Sequence, residues 1–113
     1  MLVRRRRQWA EATPGERFLD CGAGHGRAVA AFALGFGGSS LGVEIRPHLV
    51  ETARQCLAKL EPQPLPGVVV GDIFAPELDY GGYDIVFLNT TGFDESLMRR
   101  CSQVKMINFA LKY

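Results

Sequence analysis

The chain has 113 residues and a formal net charge of +1, with 47% hydrophobic and 22% charged residues. This length fits one domain with a buried core, and the near-neutral charge gives no overall field that would attract nucleic acid. No apolar run approaches the roughly 20 residues needed to cross a bilayer, so the sequence predicts no membrane association.

Residues 1–12 are predicted to form a short basic helix or tail ahead of the main domain. Four consecutive arginines, Arg4 to Arg7, lie close to Trp9 in this segment. Such a run is typical of a solvated polar surface, and it also suits contact with nucleic acid or another acidic partner.

The three cysteines, Cys21, Cys56 and Cys101, are odd in number and widely spaced. Their spacing does not resemble that of metal ligands, so we predict no metal site. Unpaired cysteines are typical of a reducing compartment, which indicates an intracellular protein of the cytoplasm, the nucleus or an organelle matrix.

In residues 13–113, short apolar segments alternate with helical patterns. Strands are predicted, in chain order, at residues 17–20, 41–44, 68–70, 84–88 and 106–111. Helices are predicted at residues 28–36, 47–60 and 95–103, the second with a buried stripe of Leu49, Ala53, Cys56, Leu57 and Leu60. This alternation predicts an α/β fold, a Rossmann-like parallel sheet of about five strands with flanking helices.

The stretch Phe18-Leu-Asp-Cys-Gly-Ala-Gly-His-Gly26 joins the first predicted strand to the first predicted helix. Its glycines, Gly22, Gly24 and Gly26, allow a tight turn and carry no Cβ that would keep a ligand away. The helix that follows directs its N-terminal N–H groups into the same crevice. We therefore expect this loop to bind the polar part of a nucleotide-like ligand.

Polar residues end, or come just after, successive predicted strands at the same end of the sheet. These residues are Asp20, Glu44, Asp72 and Asn89. Because ligands of open parallel sheets bind beyond the carboxyl ends of the strands, their positions predict a single site.

The glycine spacing and the acid before it indicate which kind of ligand binds. A dinucleotide fingerprint reads G-x-G-x-x-G, whereas this loop reads G-x-G-x-G and follows Asp20. Asp20 would repel a pyrophosphate and favours a ligand with positive charge, such as the ammonium and sulfonium of S-adenosylmethionine.

The other strand ends suit the nucleoside part of the same ligand. Glu44 lies 18 residues after Gly26, where a carboxylate can accept hydrogen bonds from both ribose hydroxyls. Asp72 can accept a hydrogen bond from the exocyclic amine of adenine. Three apolar residues could flank the adenine ring or simply pack in the core: Ile45, Ile73 and Phe74. Tyr80 is interpreted as a turn anchor.

Four stretches match, in order and spacing, the cofactor motifs of one enzyme family. They are Asp20-Cys-Gly-Ala-Gly-His-Gly26, Gly42-Val-Glu44, Gly71-Asp72 and Tyr83-Asp-Ile-Val-Phe-Leu-Asn89. Through them, residues 13–113 resemble the class I S-adenosylmethionine-dependent methyltransferases. Within that class, the sequence around Glu44 and Asn89 is loosely similar to Dot-type protein-lysine methyltransferases. That subfamily has a second Asn after Asn89, where this chain has Thr90.

The resemblance implies a role for each residue of the predicted site. The glycine loop would pass beneath the methionine moiety of the cofactor, and Asp20 would orient the ammonium of that moiety. The loop residues concerned are Gly22, Ala23, Gly24 and Gly26. The nucleoside would be held by Glu44 at the ribose and Asp72 at the adenine, with Ile45 and Ile73 beside the ring. Asn89 would be the catalytic residue, its amide oxygen accepting a hydrogen bond from an amine nucleophile beside the transferring methyl.

The resemblance also implies that this domain is an incomplete core. The family's sheet has seven strands, the last two forming an antiparallel hairpin beside the fifth, and this hairpin is missing from the predicted elements. The strand at residues 106–111 would then have an apolar edge that a partner chain could cover.

Two classes of function remain open. The first is a methyltransferase that uses S-adenosylmethionine to methylate a nitrogen. The favoured acceptor is a lysine side chain of a protein substrate. The second is an inactive methyltransferase-like scaffold in a larger protein or RNA assembly, in which Arg4–Arg7 would contact RNA or an acidic partner. A nicotinamide-dependent oxidoreductase is disfavoured by the glycine spacing and by Asp20.

Overall fold

The computed structural model describes residues 2–4, 15–61, 65–88, 94–103 and 110–112. These residues form six strands: β1 (Leu2–Arg4), β2 (Arg17–Cys21), β3 (Ser39–Glu44), β4 (Gly67–Val70), β5 (Ile85–Leu88) and β6 (Ala110–Lys112). They also form three α-helices, α1 (Arg27–Phe36), α2 (Pro47–Leu57) and α3 (Glu95–Gln103), and a short 3-10 helix, Tyr80–Gly82. The predicted elements of the central domain are therefore present, and their ends differ by a few residues.

The strands form one sheet in the order β4-β3-β2-β5-β1-β6. Strands β4, β3, β2 and β5 run parallel to their neighbours, which confirms the predicted Rossmann-like sheet with flanking helices. Asp20 of β2 lies between Gly42 of β3 and Phe87 of β5 in the strand register. The sheet thus carries Asp20 to its carboxyl edge with a neighbouring strand on each side.

Strand β1 replaces the start of the predicted N-terminal helix. Leu2, Val3 and Arg4 pair antiparallel with β5 on one side and with β6 on the other. The helix prediction was wrong for these residues because pairing with a strand on each side outweighs a local pattern of good helix formers. Residues 5–12, which include Arg5, Arg6 and Arg7, lie outside the described residues.

At the other end, the predicted strand at residues 106–111 appears as β6 (Ala110–Lys112), and residues 104–109 lie outside the described part of the chain. Within that part no strand follows β6. The sheet is mixed rather than purely parallel because β1 runs opposite to both of its neighbours.

Helices α1 and α2 cover one face of the sheet. Phe32 of α1 stacks on Phe18 of β2 with ring centroids 4.6 Å apart. The buried stripe of α2 is Val50, Ala53 and Leu57. The predicted stripe was wrong at Cys56, which faces solvent, because the helix turns Val50 toward the sheet, and this rotates Cys56 away from it.

The opposite face carries a second core. Its buried residues are Leu19, Cys21, Val43, Tyr80, Val86 and Leu88. Because side chains alternate across a strand, Leu19 and Cys21 point to this face while Asp20 points toward the helices. The segment between β4 and β5, which includes Tyr80, closes this second core beneath the carboxyl edge of the sheet.

Candidate functional site

The carboxyl ends of β2, β3 and β4 border two adjoining clefts. The first, of about 450 Å³, is lined by residues that include Glu44, Ile45, Asp72, Ile73 and Phe74. The second, of about 480 Å³, is lined by residues that include Asp20, Ala23, Gly24, His25 and Arg27. Gly22 and Arg46 line both clefts. The structure therefore brings together the acids and most of the loop residues that the sequence predicted, and clefts of this size suit small ligands.

The glycine loop after β2 is held by strand β3. Its glycines take left-handed backbone angles, with φ of 79° at Gly22, 56° at Gly24 and 83° at Gly26. The amides of Gly22 and Ala23 donate to the carbonyl of Val43 at 2.8 and 3.0 Å, and that of Gly24 donates to Glu44 Oε1 at 3.0 Å. These three amides bind protein oxygens, so this part of the loop is built to shape a cleft and not to hold a phosphate. Gly26 is buried behind the loop, against helix α2 and strand β4.

Glu44 is the best-anchored carboxylate of the site. Its side chain is buried, and Oε2 accepts from the backbone amide of Arg46 at 2.9 Å and from Arg46 Nε at 3.2 Å. Oε1 accepts from Gly24 N and, at 3.3 Å, from Arg46 Nη2. Burial raises the pKa of Glu44, but the hydrogen bonds from Arg46 and Gly24 outweigh it and lower the pKa below its ordinary value. Glu44 is therefore ionised at neutral pH.

The pKa of Asp20 is shifted in the opposite direction to that of Glu44. Its side chain is 3% exposed, and its buried Oδ1 accepts no hydrogen bond from any residue that the structure describes. Burial and then the negative charge of Glu44 raise the pKa of Asp20 from 3.8 to about 6. A buried carboxylate oxygen without a donor is costly, and a cationic group in the adjoining cleft would relieve that cost.

The far side of the first cleft is formed by the loop after β4. Asp72 is exposed, and its Oδ1 accepts from the amide of Phe74 at 2.9 Å, so it shapes its own turn. Ile45 is 64% exposed at the cleft, while Ile73 and Phe74 are partly buried against the second core. Packing in the core is thus confirmed in part for Ile73 and Phe74, whereas Ile45 is exposed, and contact of the three residues with an adenine ring stays a prediction.

Helix α3 contributes residues that the sequence analysis missed. Leu97 and Arg100, one turn apart, line the first cleft, and the guanidinium of Arg100 lies 4.1 Å from the ring centre of Phe74. Their helical spacing was visible, but nothing in the sequence indicated that α3 folds toward this cleft. Arg46 was missed for a similar reason, since only the fold shows that its guanidinium meets Glu44.

Asn89 directly follows β5 and lies outside the described residues, as do Thr90 and Phe93. Its catalytic role stays a prediction. Phe87, two residues earlier in the chain, lines the second cleft beside Asp20. Among the described residues there is no group of three or more His, Cys, Asp or Glu side chains that could hold a metal ion. In the same part of the chain, no helix has both the length and the apolar character needed to cross a bilayer.

A Rossmann-like sheet with a glycine loop after its first parallel strand and an acid at the end of the next defines a nucleoside-binding α/β domain. Residues 18–105 match the family described as a methyltransferase domain. The chain belongs to this family of methyltransferase domains. No curated protein shows significant sequence similarity to the chain.

Solved structures agree with this assignment. An RNA methyltransferase from Salinibacter ruber, crystallised with S-adenosyl-L-homocysteine, is 33% identical over 65% of this chain, with a TM-score of 0.59. The YcgJ protein of Bacillus subtilis matches 91% of the chain with a TM-score of 0.71 and 23% identity, which is a likeness of fold. A chain from the complex containing the Haloferax volcanii Trm112 methyltransferase activator is 25% identical over 63% of this chain, with a TM-score of 0.51. The chain spans 46%, 42% and 30% of the lengths of these three proteins.

Proposed function

We propose that this chain is the cofactor-binding core of an S-adenosylmethionine-dependent methyltransferase that methylates a nitrogen. The observation that carries the proposal is Asp20, a buried acid whose Oδ1 has no donor within the described residues and which borders a cleft beside the glycine loop. A ligand with an ammonium group fits this acid, whereas a pyrophosphate does not. The similarity to a methyltransferase crystallised with S-adenosyl-L-homocysteine supports the same ligand class.

The two clefts suit the two halves of such a ligand. The cleft beside Asp20 and Gly22 would take the methionine moiety, and the cleft between Glu44 and Asp72 would take the adenosine. The two longest hydrogen bonds of Glu44 come from the largely exposed side chain of Arg46. Ribose hydroxyls could replace these two bonds while the backbone donors of Gly24 and Arg46 continue to hold the carboxylate.

When bound, the sulfonium cofactor supplies the electrophilic methyl group, so the protein's main task is alignment. Asp20 would hold the ammonium end, and Glu44 the ribose. Asn89 would accept a hydrogen bond from the amine nucleophile and direct its lone pair toward the cleft. The attacking nitrogen would have to be the neutral amine, with its proton released to solvent, and its bond to the methyl carbon would form as the bond from that carbon to sulfur breaks.

Protein lysine is the acceptor that we infer from the resemblance to Dot-type enzymes around Glu44 and Asn89. RNA is the second candidate acceptor, and the 33% identity to an RNA methyltransferase favours it. The basic run Arg4–Arg7 would suit an RNA backbone equally well. An inactive scaffold remains the alternative function. A partner chain that covers the last strand would be compatible with an active methyltransferase and with a scaffold. The similarity to a chain from an activator complex supports such a partner.

Cofactor binding is tested by calorimetric titration with S-adenosyl-L-homocysteine. We expect Glu44→Ala to weaken binding by about tenfold to a hundredfold, because hydrogen bonds to a charged acceptor are lost. Glu51→Gln removes one negative charge from the exposed face of α2, outside both clefts, and serves as the control. Equal affinities for wild type and Glu44→Ala would remove Glu44 from the site, and no binding by wild type would reject the cofactor.

The acceptor is identified by transfer of labelled methyl from S-adenosylmethionine to cellular extracts. Protease treatment should destroy the labelled product if the acceptor is protein, and ribonuclease should destroy it if the acceptor is RNA. Asn89→Ala should then lower turnover far more than cofactor affinity. If the protein binds S-adenosyl-L-homocysteine but transfers no labelled methyl to protein or RNA, the inactive scaffold is favoured.

A further inference from the structure

Tyr80 lies beneath the first cleft but does not line it. It begins the 3-10 helix Tyr80–Gly82 and is 2% exposed, packed in the second core. Asp79 fixes this turn, because its Oδ1 accepts from the amide of Gly81 at 2.9 Å. The ring therefore enters the core from a capped turn.

The hydroxyl of Tyr80 contacts two segments that border different parts of the site. Tyr80 Oη donates to the carbonyl of Ile73, in the loop after β4. Cys21 Sγ lies 3.7 Å from the same oxygen and donates to it. Cys21 is the residue between Asp20 and the first loop glycine. One oxygen thus connects the end of β2, which borders the second cleft, to the loop that bounds the first cleft.

Packing alone does not require this hydroxyl. A phenylalanine would fill almost the same volume, and a buried hydroxyl costs free energy unless it is hydrogen-bonded. The loop that it holds, residues 71–75, is otherwise shaped by local bonds, such as those of Asp72 with Phe74 and Ala75. Its amide at Gly71 also donates to the carbonyl of Glu44 at 3.0 Å. The Tyr80 bond adds an anchor from the core at the middle of this loop.

We propose that Tyr80 is a positioning residue that holds residues 71–75 in place for the adenosine half of the ligand. It acts through the carbonyl of Ile73 and touches no ligand itself. This inference rests on the proposed function, since it assumes that the cleft between Glu44 and Asp72 takes adenosine. Its consequence is selective, because Cys21 stays held in β2 by pairing with Val43 and Leu88, whereas the loop at Ile73 loses its anchor. Losing the hydroxyl should therefore affect adenosine recognition and leave the fold and the methionine side intact.

The test is Tyr80→Phe, titrated with S-adenosyl-L-homocysteine by calorimetry and with adenosine and methionine separately by NMR. We expect affinity for S-adenosyl-L-homocysteine and for adenosine to fall by about fivefold to thirtyfold, and affinity for methionine to stay unchanged. Hydrogen exchange at the amides of Phe74 and Ala75 should accelerate in the free variant. A purely structural role would weaken all three ligands alike.

Two further variants keep the inference testable. Tyr83→Phe is the matched control, because Tyr83 is half-buried, lies outside both clefts and would keep its ring over Arg17. Asp79→Ala uncaps the turn at an exposed position, so it should loosen Tyr80 and weaken adenosine binding even if Tyr80→Phe is poorly folded.

The outcomes separate the two proposals. If wild type binds S-adenosyl-L-homocysteine and both Tyr80→Phe and Asp79→Ala bind it equally well, the inference about Tyr80 is overturned while the proposed function stands. If wild type binds none of the three ligands, the proposed function fails and the inference fails with it. Unchanged exchange at Phe74 and Ala75 in Tyr80→Phe would contradict the anchor directly.

Discussion

Asp20 and Glu44 show how environment separates two carboxylates of one site. Glu44 has backbone donors and a guanidinium around it, so its pKa falls below the ordinary value despite burial. Asp20 is equally buried, has no donor at Oδ1 within the described residues, and has a pKa raised to about 6. Groups without partners are common at functional sites, where a ligand completes them.

At this scale we predict that Asp20→Asn stabilises the free protein and weakens ligand binding. The pKa of Asp20 is about 6 in the folded protein, against an ordinary value of 3.8. Wild-type Asp20 therefore contributes its full stability to the fold below about pH 4, where it is protonated, and this contribution is lost as the pH rises through 6. At pH 7.5 the variant should therefore gain up to about 3 kcal/mol in free energy of unfolding. Denaturant unfolding at pH 4 and 7.5 measures this difference, and an equal gain at both values would contradict it.

The same residue should make binding depend on pH. An ammonium group and a proton compete for Asp20, so wild-type affinity for S-adenosyl-L-homocysteine should fall by up to about tenfold per pH unit below 6. Asp20→Asn should bind more weakly at pH 7.5 and show a flatter pH profile. Other ionisable side chains also border these clefts, namely Glu44, His25, Arg27 and Arg46. The affinity of the His25→Gln variant is therefore measured over the same pH range as the control.

At the scale of elements, strand β3 positions the glycine loop through Gly42. A Cβ at Gly42 would lie 2.5 Å from Ala23 Cβ, closer than real contacts allow, and 3.0 Å from Val29 Cγ2, which is a tight contact. The loop and helix α1 therefore sit directly on the backbone of β3. The sequence singled out Gly42 only as a motif residue, and the reason for a glycine there is this close packing.

We predict that Gly42→Ala lowers the free energy of unfolding by about 1–3 kcal/mol and also weakens ligand binding, because Ala23 must move. Gly35→Ala in α1 is the matched control. A Cβ at Gly35 meets nothing within 4 Å, so this change should be neutral or stabilising by up to about 1 kcal/mol. Thermal unfolding and calorimetry of both variants check the pair, and equal effects would contradict the packing argument.

At the scale of the whole molecule, the sheet depends on its N-terminal strand. Strand β1 lies between β5 and β6 and pairs with both. Its removal would expose the edge of β5, the strand that leads to Asn89, and exposed apolar edges promote self-association.

Deletion of residues 1–4 should therefore lower Tm by at least about 4 °C and cause association that increases with protein concentration. Deletion of residues 110–113 is the control, because it removes an outer strand and leaves β1 covering β5. Differential scanning calorimetry and size-exclusion chromatography measure the two effects. If both deletions behave alike, β1 is not a central strand of the sheet in solution.

Local sequence patterns were enough to predict the parallel sheet and the positions of Asp20, Glu44 and Asp72 at its carboxyl edge. It could do so because strand periodicity, glycine turns and helix starts are local properties that a few neighbouring residues specify. The fold decided what those residues meet. Glu44 accepts a hydrogen bond from Gly24, Tyr80 contacts Cys21 and Ile73, and Leu2–Arg4 enter the sheet as a strand. These contacts join segments far apart in the chain or depend on how the chain folds back, and no local pattern encodes that geometry.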